Sequence, residues 1–517
     1  MSSSRVGKSI KNTSFGMIGM AVSLLVQFIA RTIFIKLLGD EYNGINGLFS
    51  NILYVLNLAE LGVAYSIAYA LYAPLQDESR ERVSAIMNFL RNVYYVVAIV
   101  VAVAGLICTP FLQYLIKEDL STMPFALRQI RTYFLIYLAN TVFSYIWSYK
   151  RTLITADQKS YVISNADNIG NIAMYLIQIV MLLIWRNYYL YLGLMLAKTI
   201  FTNVIITAIA NKKYPYLKEN KKLKIDREDK LKIAKNVGAL FFHKFGSVVI
   251  YGTTTIIISA FVGVIEAGWY SNYLLIVHAV ASFISIIFNS ITASVGNLCV
   301  TEGVERQKEV FNRVSYASNA LVVFSFVCYV VLFNDFIEIW VGGDKIFNIY
   351  VVIAIAANAV LTTLRQATNT FKNAKGLFVK DWYKSIVEAF AGIGLAIGFS
   401  YVWGTFGVVF GYLLSSLLIA LPIEVIVLYK YGFEDKSKGA LFQFLSMAWT
   451  AIQAGAIAAL LYFATSFFPG GVLWFILKAV ICAVCSIVIY ILLSFKTKEF
   501  RYYKGLLLSA KRKLFKK

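Results

Sequence analysis

The sequence is poor in the residues that most enzymes use for chemistry. Its 517 residues include only two histidines and five cysteines. Both histidines, His243 and His278, fall inside long apolar runs, so general base catalysis at a membrane surface has few candidates. The chain carries no glycine loop that could cradle phosphates, no cluster of metal ligands and no combination of serine, histidine and acid. These absences predict a protein that is not an enzyme, with no catalytic residues, no metal and no cofactor.

Cysteine and proline are both scarce, and each shortage excludes a structural feature. Five scattered cysteines give no disulfide framework, and Cys482 and Cys485 lie in the middle of the last apolar run, where we interpret them as small core-filling residues. Only six prolines are present, so few helices should be sharply kinked, and Pro422 is the clearest candidate. The chain also lacks an ATP site, so energy for any transport must come from an ion gradient, the membrane potential or the substrate gradient.

Long apolar runs, in contrast, fill most of the chain. Hydrophobic residues make up 59% of the sequence and charged residues only 15%, which is far from the usage of soluble domains. Each run has about 20 to 28 residues, enough to cross a hydrocarbon core of roughly 30 Å. The runs predict fourteen membrane-spanning helices near residues 12–38, 45–71, 92–116, 131–150, 160–185, 188–210, 237–262, 268–296, 314–337, 346–371, 382–402, 405–429, 441–467 and 472–495.

Basic residues are sorted between the two sides of these spans. Of 49 Lys and Arg residues, 38 fall in every second gap, counted with the residues at the ends of the bordering runs. Five fall in the alternate gaps and six inside the runs. Cytoplasmic loops retain Lys and Arg, so the pattern predicts a multi-pass protein of the cell membrane with both termini in the cytoplasm. The net charge of +22 then indicates anionic lipid headgroups as partners and not nucleic acid.

The second half of the sequence repeats the first at a shift of 224 residues. Gly39 and Gly44, in the first outer turn, align with Gly263 and Gly268. The inner loop residues Glu78, Glu81, Arg82 and Asn88 align in the same register with Glu302, Glu305, Arg306 and Asn312. Six spans separate the copies, so the repeat is parallel. We therefore predict an all-α membrane protein with an N-terminal lobe of six spans (1–211), a basic cytoplasmic linker (212–236), a C-terminal lobe of six spans (237–429), and two further spans with a basic cytoplasmic tail (430–517).

Several charged residues lie inside the predicted spans. A charge at the bilayer centre costs about 2.5 to 3.5 kcal/mol on insertion scales, so each needs a reason. Lys198 and Glu60 fall almost at mid-span, which predicts that they line a polar cavity or form an ion pair with each other. Five residues lie about 7 to 10 Å from mid-span: Arg31, Lys244, Asp167, Glu388 and Arg365. At this depth two interpretations stay open: a functional role inside the protein, or a side chain that extends to the membrane interface. Three lie near span ends and are expected to reach the interface: Lys36, Lys478 and Glu424.

Polar residues also follow helical spacing within two spans. Gln27 precedes Arg31 by four residues and shares its helix face. In the fifth span, Asp167, Asn168 and Asn171 form a similar stripe. Such stripes are expected of a water-filled cavity between lobes, and hydrogen bonds between packed helices are the alternative. We predict a cationic binding cavity with Arg31, Lys198, Lys244 and Arg365, and we assign cavity or coupling roles to Gln27, Glu60, Asp167, Asn168 and Asn171.

Two regions carry a family resemblance. Residues 31–53 read RTIFIKLLGDEYNGINGLFSNIL, and residues 58–63 read LAELGV. Residues 149–151 and 156–161, in a predicted inner loop, read YKR and ADQKSY. Together these motifs resemble Wzx-type polysaccharide-unit flippases, which belong to the superfamily of multidrug, oligosaccharidyl-lipid and polysaccharide exporters. Within the resemblance, Arg31 matches an arginine that the family places in a central cationic cavity, and Glu60 belongs to the LAELG motif, with a structural or a coupling role.

The resemblance implies a bacterial flippase with alternating access. Its cargo is expected to be an undecaprenyl-pyrophosphate-linked oligosaccharide, moved from the inner to the outer leaflet for capsule, O-antigen or exopolysaccharide synthesis. Expected partners are this anionic lipid, membrane anionic lipids, and a polysaccharide polymerase or other assembly proteins. Two alternatives stay open: a multidrug or cation antiporter of the same fold, which the basic character of the deep charges disfavours, and a polysaccharide polymerase, which the short outer gaps disfavour.

Overall fold

The computed structural model describes residues 3–60, 62–220, 223–377, 380–435 and 438–514. Side chains are described for these residues except at positions 3–18 and at a few others, which include His243 and Lys244. The described residues form α-helices: α1 (Ser3–Leu38), α2 (Asp40–Leu56), α3 (Val63–Gln76), α4 (Arg80–Cys108), α5 (Leu127–Ala156), α6 (Ser160–Trp185), α7 (Tyr188–Lys213), α8 (Tyr216–Glu219), α9 (Arg227–Ile257), α10 (Val264–Thr301), α11 (Val304–Val341), α12 (Ile349–Ala374), α13 (Trp382–Ser415), α14 (Leu421–Val427), α15 (Gly439–Thr465), α16 (Val472–Ser494) and α17 (Lys498–Leu514).

These helices confirm the predicted all-α membrane fold. Within the described residues, ten segments are long and apolar enough to cross a membrane. One of them, Trp382–Gly432, contains two of the predicted spans. The three other predicted spans fall on α2 with α3, on α5 and on α9, where breaks or polar residues interrupt the apolar run. All fourteen predicted spans therefore correspond to helical segments.

Several spans are interrupted instead of running straight. The second span breaks after α2 into a short 3₁₀ turn, Asn57–Glu60, and α3 begins only after Gly62, whose φ of 84° is left-handed. In α13 the kink lies at Gly404, which has a φ of 54° and a ψ of −134° and falls in the predicted gap between the spans 382–402 and 405–429. Pro422 lies in the first turn of α14, directly after the π-helical turn Ser416–Ala420. The break after α2 places the polar residues Asn57 and Glu60 within the predicted second span.

The chain forms two compact units, Met1–Ser271 and Asn272–Lys517. In the first unit, α5 packs against α4 and α7, and α6 packs against α1 and α7. In the second unit, α11 packs against α12, α15 and α16, and α12 packs against α13. The lobe boundaries predicted from the sequence repeat stay a prediction.

Candidate functional site

A polar cavity lies within the first unit, among α5, α6 and α7. Its volume is about 380 Å³. Every lining side chain is polar or charged, although these three helices are otherwise rich in apolar residues. The lining residues are Ser144, Ser148, Arg151, Asp167, Asn171, Lys198, Thr199, Thr202 and Asn203. The cavity therefore brings together Asp167, Asn171 and Lys198, three of the residues that the sequence predicted for the site.

An ion pair organises the wall of this cavity. Arg151 Nη1 donates to Asp167 Oδ2 at 2.8 Å, and Arg151 Nη2 donates to Asp167 Oδ1 at 3.0 Å. Arg151 Nε donates to Asn203 Oδ1 at 2.9 Å, which ties α5 to α7. A bidentate pair of this geometry fixes the plane of the guanidinium. Asp167 is thus neutralised by Arg151, which sequence analysis did not assign to the site.

Lys198 has a different environment in the same cavity. It lies on α7 and is partly buried, and no carboxylate of the described residues lies within ion-pair distance of its ammonium. Gly170 of α6 makes room for it, because a Cβ atom there would lie 3.5 Å from Lys198 Cε and 2.7 Å from Thr202 Oγ1. With Arg151 and Asp167 paired, Lys198 leaves the described cavity wall with an excess positive charge.

Arg31 lies on α1 among aromatic side chains. Its Nη2 donates to Ser271 Oγ at 2.6 Å. Four tyrosines lie near enough to interact electrostatically with the guanidinium: Tyr191, Tyr137, Tyr188 and Tyr175. One turn away, Phe34 packs its ring 4.7 Å from that of Tyr191. Arg31 therefore lies in a polar and aromatic environment that the protein provides, and its guanidinium is not left among lipid acyl chains without protein partners.

Two predicted residues lie beside these groups without lining the described cavity. Gln27 is partly buried one turn before Arg31 on α1. Asn168 faces α1, because a Cβ atom at Gly19 would lie 3.0 Å from its Nδ2. Asn168 therefore supports the packing of α1 on α6, which was the alternative left open for the polar stripe. Its neighbours Asp167 and Asn171 face the cavity.

Glu60 lies at the break in the second span. Its carboxylate accepts a hydrogen bond from Tyr94 Oη at 2.8 Å. The nearby Tyr145 donates to Asn57 Oδ1 at 2.6 Å. Among the described residues, Glu60 and Lys198 form no ion pair with each other or with other side chains. The structural pair considered from the sequence is thus not formed among the described residues: Glu60 is hydrogen-bonded by Tyr94, and Lys198 lines the polar cavity.

Arg365 lies in the second unit inside a cluster of buried charges. Its Nε and Nη2 donate to Glu424 at 2.8 and 2.7 Å, and its Nη1 lies 3.5 Å from Glu388. Lys384 also donates to Glu424, and Lys372 donates to Asp381. We call this set the ion cluster: Arg365, Lys372, Lys384, Asp381, Glu388 and Glu424. Its three cations and three anions balance, so Arg365 adds no net positive charge to a binding site.

The depth estimate was wrong for Glu424. Its position near a span end predicted that it would reach the interface, yet its side chain is only 1% exposed. The π-helical turn before α14 and the cations of α12 and α13 hold the carboxylate inside the bundle. Lys478 also finds a partner, because its Nζ lies 2.7 Å from Asp335 Oδ2. Lys36 is exposed as expected, and the side chain of Lys244 lies outside the described residues.

The repeated outer turns meet each other within the first unit. Asn43 Nδ2 donates to the carbonyl of Gly268 at 2.9 Å. A Cβ atom at Gly44 would lie 2.0 Å from the carbonyl oxygen of Val264, and one at Gly268 would lie 2.8 Å from the backbone nitrogen of Gly44. Glu118 accepts from the backbone N–H of Val264 at 2.6 Å. Gly44 and Gly268 are equivalent in the 224-residue repeat, so the two copies contact each other at matching positions.

Comparison with known proteins gives a fold but no family. No protein-family model matches the sequence, and no curated protein matches it. Among solved structures, an inward-facing multidrug resistance MATE transporter of the MOP superfamily has a TM-score of 0.63 at 13% identity, over 84% of this chain and 99% of that one. The lipid II flippase MurJ, inward closed, has a TM-score of 0.59 at 14% identity, over 95% and 99%. An outward-facing MATE transporter has a TM-score of 0.54 at 14% identity, over 86% and 96%.

The three structures named here are those of two transporters and a flippase. At such low identities they establish a shared fold and nothing about cargo. The chain is a multi-pass membrane protein with the fold of MOP-superfamily transporters.

Proposed function

We propose that the chain is a bacterial flippase for an undecaprenyl-pyrophosphate-linked oligosaccharide. It moves this lipid from the inner to the outer leaflet by alternating access, for capsule, O-antigen or exopolysaccharide synthesis. The observation that carries the proposal is Lys198. Its ammonium lines a polar cavity among membrane-embedded helices and has no ion-pair partner among the described residues.

Charge matching supports this cargo. A pyrophosphate is strongly anionic, and Lys198 and Arg151 outnumber Asp167 in the cavity wall. Electrostatic attraction is much stronger in a low-dielectric site than in water. Asn171 and the hydroxyls of Thr199 and Thr202 add hydrogen-bonding groups that suit phosphate oxygens and sugar hydroxyls. The paired state of Arg151 keeps the total charge modest, which favours release of the cargo on the other side.

Other predicted residues support the proposal to different degrees. Arg31 adds a second positive group in the first unit, and it carries the family resemblance described above. Arg365 is committed to the ion cluster, so we no longer assign it to cargo binding. The assignment of Lys244 stays a prediction, as do the coupling roles of Gln27 and Glu60.

A multidrug or cation antiporter of the same fold is the second candidate, because MATE transporters share this fold. A cationic drug requires an acidic cavity, whereas the described cavity has an excess of positive charge. This sign difference favours an anionic cargo. The lipid II flippase among the similar structures is a precedent, by its name, for a lipid-linked cargo on this fold.

The outer turns suggest how release would occur. Asn43 and Gly44 pack directly on Gly268 and Val264. In our proposal this contact closes the outer end of the first unit. In our proposal the turns separate when cargo is released to the outer leaflet. The absence of side chains at Gly44 and Gly268 lets the turns close again.

The direct test is to deplete the protein and identify the lipid-linked glycan that accumulates in membrane extracts. In cells depleted of the native protein, Lys198→Gln should give export about ten-fold or more below that of the wild type. The reason is that a hydrogen bond to a charged group contributes about 1.5 to 3 kcal/mol. Lys198→Arg should restore most of the export, because it keeps the charge. Protein amounts in the membrane are measured in parallel.

Lys36→Gln is the matched control, because Lys36 is exposed near a span end. It should export normally. An unchanged lipid pool on depletion would contradict a flippase. Normal export by Lys198→Gln at wild-type protein levels would instead remove the cationic cavity from the proposal and leave the flippase assignment to the depletion result.

A further inference from the structure

The helix α17 follows the last membrane span almost at once. Only residues 495–497 separate the end of α16 at Ser494 from Lys498. Three residues can span at most about 10 Å, so α17 begins next to the membrane boundary. The helix carries six basic residues and one acidic residue, Glu499. A strongly basic helix at this position points to a specific partner surface.

Aromatic contacts hold α17 against the start of α11 in the second unit. The ring of Tyr503 stacks on that of Tyr316, with centroids 5.8 Å apart and an interplanar angle of 23°. Tyr503 Oη donates to the carbonyl of Arg313 at 3.0 Å. The Arg313 guanidinium lies 3.7 Å above the ring of Tyr502. The position of α17 is therefore fixed by the protein, and its basic residues are presented in a defined arrangement.

These contacts assemble a basic patch that the described residues neutralise only in part. We call it the tail patch: Arg306, Arg313, Lys498, Arg501 and Lys504. Arg306 and Arg313 share the single carboxylate of Glu309. Among the described residues, Lys498, Arg501 and Lys504 form no ion pair, and all three are exposed. The tail patch thus retains most of its positive charge.

The arginine at the equivalent position in the first half of the chain has a different kind of partner. Arg82, which aligns with Arg306, is bound by both carboxylate oxygens of Asp229, at 3.0 and 3.1 Å. Asn88 of the same helix donates to the carbonyls of Asn220 and Leu223 at 2.9 and 3.1 Å. In the first copy, the segment that follows supplies an acidic partner. In the second copy the five cations of the tail patch pair with one carboxylate of the described residues, that of Glu309, so the patch keeps positive charge for an anion from outside the chain.

Exposed apolar residues accompany the tail patch. Leu506 is 46% exposed and Leu508 is 51% exposed, and Phe495 at the end of α16 is 52% exposed. Basic residues alternating with exposed aromatic and aliphatic residues are typical of helices that lie in a membrane interface. A soluble acidic protein would match the charge, but it would not explain apolar side chains beside the end of a membrane span.

We propose that the tail patch and α17 bind anionic phospholipid headgroups of the inner leaflet. Arg501, Lys504 and Lys498 contact the lipid phosphates, and Leu508, which lies one turn after Lys504 on the same helix face, inserts among the acyl chains next to the headgroups. Attraction of this kind grows with each basic residue near the surface and is screened by salt. The inference does not depend on the cargo proposed above.

The test uses the full chain in lipid nanodiscs. One set contains phosphatidylcholine only, and the other contains about one third phosphatidylglycerol. We expect backbone amides of residues 498–509 to exchange about ten-fold more slowly in the anionic discs. The double variant Arg501→Gln with Lys504→Gln should lose this difference, as should the wild type at high salt.

The matched control neutralises two exposed basic residues in outer loops, Lys117→Gln with Arg186→Gln. It should keep the full lipid effect. Exchange in phosphatidylcholine discs reports whether the tail variant still docks through Tyr503. Equal exchange in both lipids would overturn the proposal. Slowing by soluble polyglutamate that equals the effect of the anionic lipid would also overturn it, in favour of an acidic protein partner.

Discussion

Charged residues inside a membrane protein are stable where other groups replace the water that they leave. The ion cluster achieves this for six charges, because Glu424 accepts from Arg365 and Lys384 while Glu388 is shared by Arg365 and Ser416. Breaking a buried pair by removing one partner is far more costly than breaking an exposed pair. At the residue scale, the balance of this cluster therefore matters more than any one contact in it.

Glu424→Gln should destabilise the protein strongly. The change leaves Arg365 and Lys384 with excess positive charge at a position that is 1% exposed, and a loss of about 3 to 5 kcal/mol in the free energy of unfolding is expected. Denaturant unfolding of the detergent-solubilised protein measures it. Glu228→Gln, in the exposed Lys232–Glu228 pair, is the control and should change little. Equal stability of the two variants would show that the cluster is not needed for folding.

The carboxyl of Asp157, in a predicted inner loop, makes the stability of the protein depend on pH. Burial alone would raise the pKa of its carboxyl, but hydrogen bonds from Lys159 and Tyr214, both at 2.5 Å, hold that pKa below its usual value. A carboxyl whose pKa is lower in the folded state stabilises the fold at neutral pH, and this contribution is lost as the pH falls through the folded-state pKa.

Asp157→Asn should therefore lower the free energy of unfolding by about 1 to 2 kcal/mol at neutral pH. The difference from wild type should shrink as the pH falls below about 4, where the carboxyl of the unfolded chain is already protonated. Unfolding curves at several pH values measure this. If the difference in the free energy of unfolding between Asp157→Asn and the wild type is the same at every pH, Asp157 stabilises the fold through its packing and not through its charge.

The sequence predicted the depth of these charges better than their partners. Lys198 was singled out because it lies at mid-span, and it does line a polar cavity. Arg151 was overlooked because it was placed in a loop, whereas α5 continues to Ala156. The YKR motif was the signal that could have found it. Pairing depends on how neighbouring helices rotate, which no local pattern records.

At the element scale, the two turns of the repeat pack so closely that they leave no room for an added side chain at Gly44 or Gly268. Asn43, Gly44 and Gly268 approach so closely that backbone meets backbone. Small residues permit such approaches between membrane helices. The sequence repeat indicated paired glycines in both turns, but it could not show that the two copies contact each other.

Gly44→Ala should prevent the turns from closing. The added Cβ atom would lie 2.0 Å from the Val264 carbonyl oxygen, a distance that real Cβ atoms do not reach. We expect loss of glycan export and faster labelling of a Ser271→Cys variant by a membrane-impermeant maleimide added outside. Both are measured in a cysteine-depleted background. Gly193→Ala is the control, since no described atom lies within 4 Å of its added Cβ; slow labelling in Gly44→Ala would contradict a closing role.

At the scale of the whole molecule, hydrophobic length and loop charge predicted the fold. Helices in a bilayer must satisfy their own backbone, so long apolar runs leave little choice of structure. The break at Asn57–Glu60 was not predicted, because apolar composition continues through it. The kink at Gly404, in contrast, falls in the predicted gap between the spans 382–402 and 405–429.

The predicted orientation can be tested with single cysteines. Ser121 lies in an exposed loop that is predicted to be outside, and Ser509 is exposed on α17. In intact cells, an impermeant maleimide should label Ser121→Cys but not Ser509→Cys, and lysis should make Ser509→Cys reactive. The positive-inside pattern is the reason for this expectation. Labelling of Ser509→Cys in intact cells would place the C terminus outside.

The contact between Gly44 and Gly268 also bears on tolerance to mutation. Each glycine is limited by the backbone of the other turn, so neither site can be rescued by trimming a neighbouring side chain. In a saturation mutagenesis library selected for export, codons 44 and 268 should retain glycine alone and be depleted to the same extent, while codon 193 accepts many residues. Two positions that lie 224 residues apart would thus share one mutational profile.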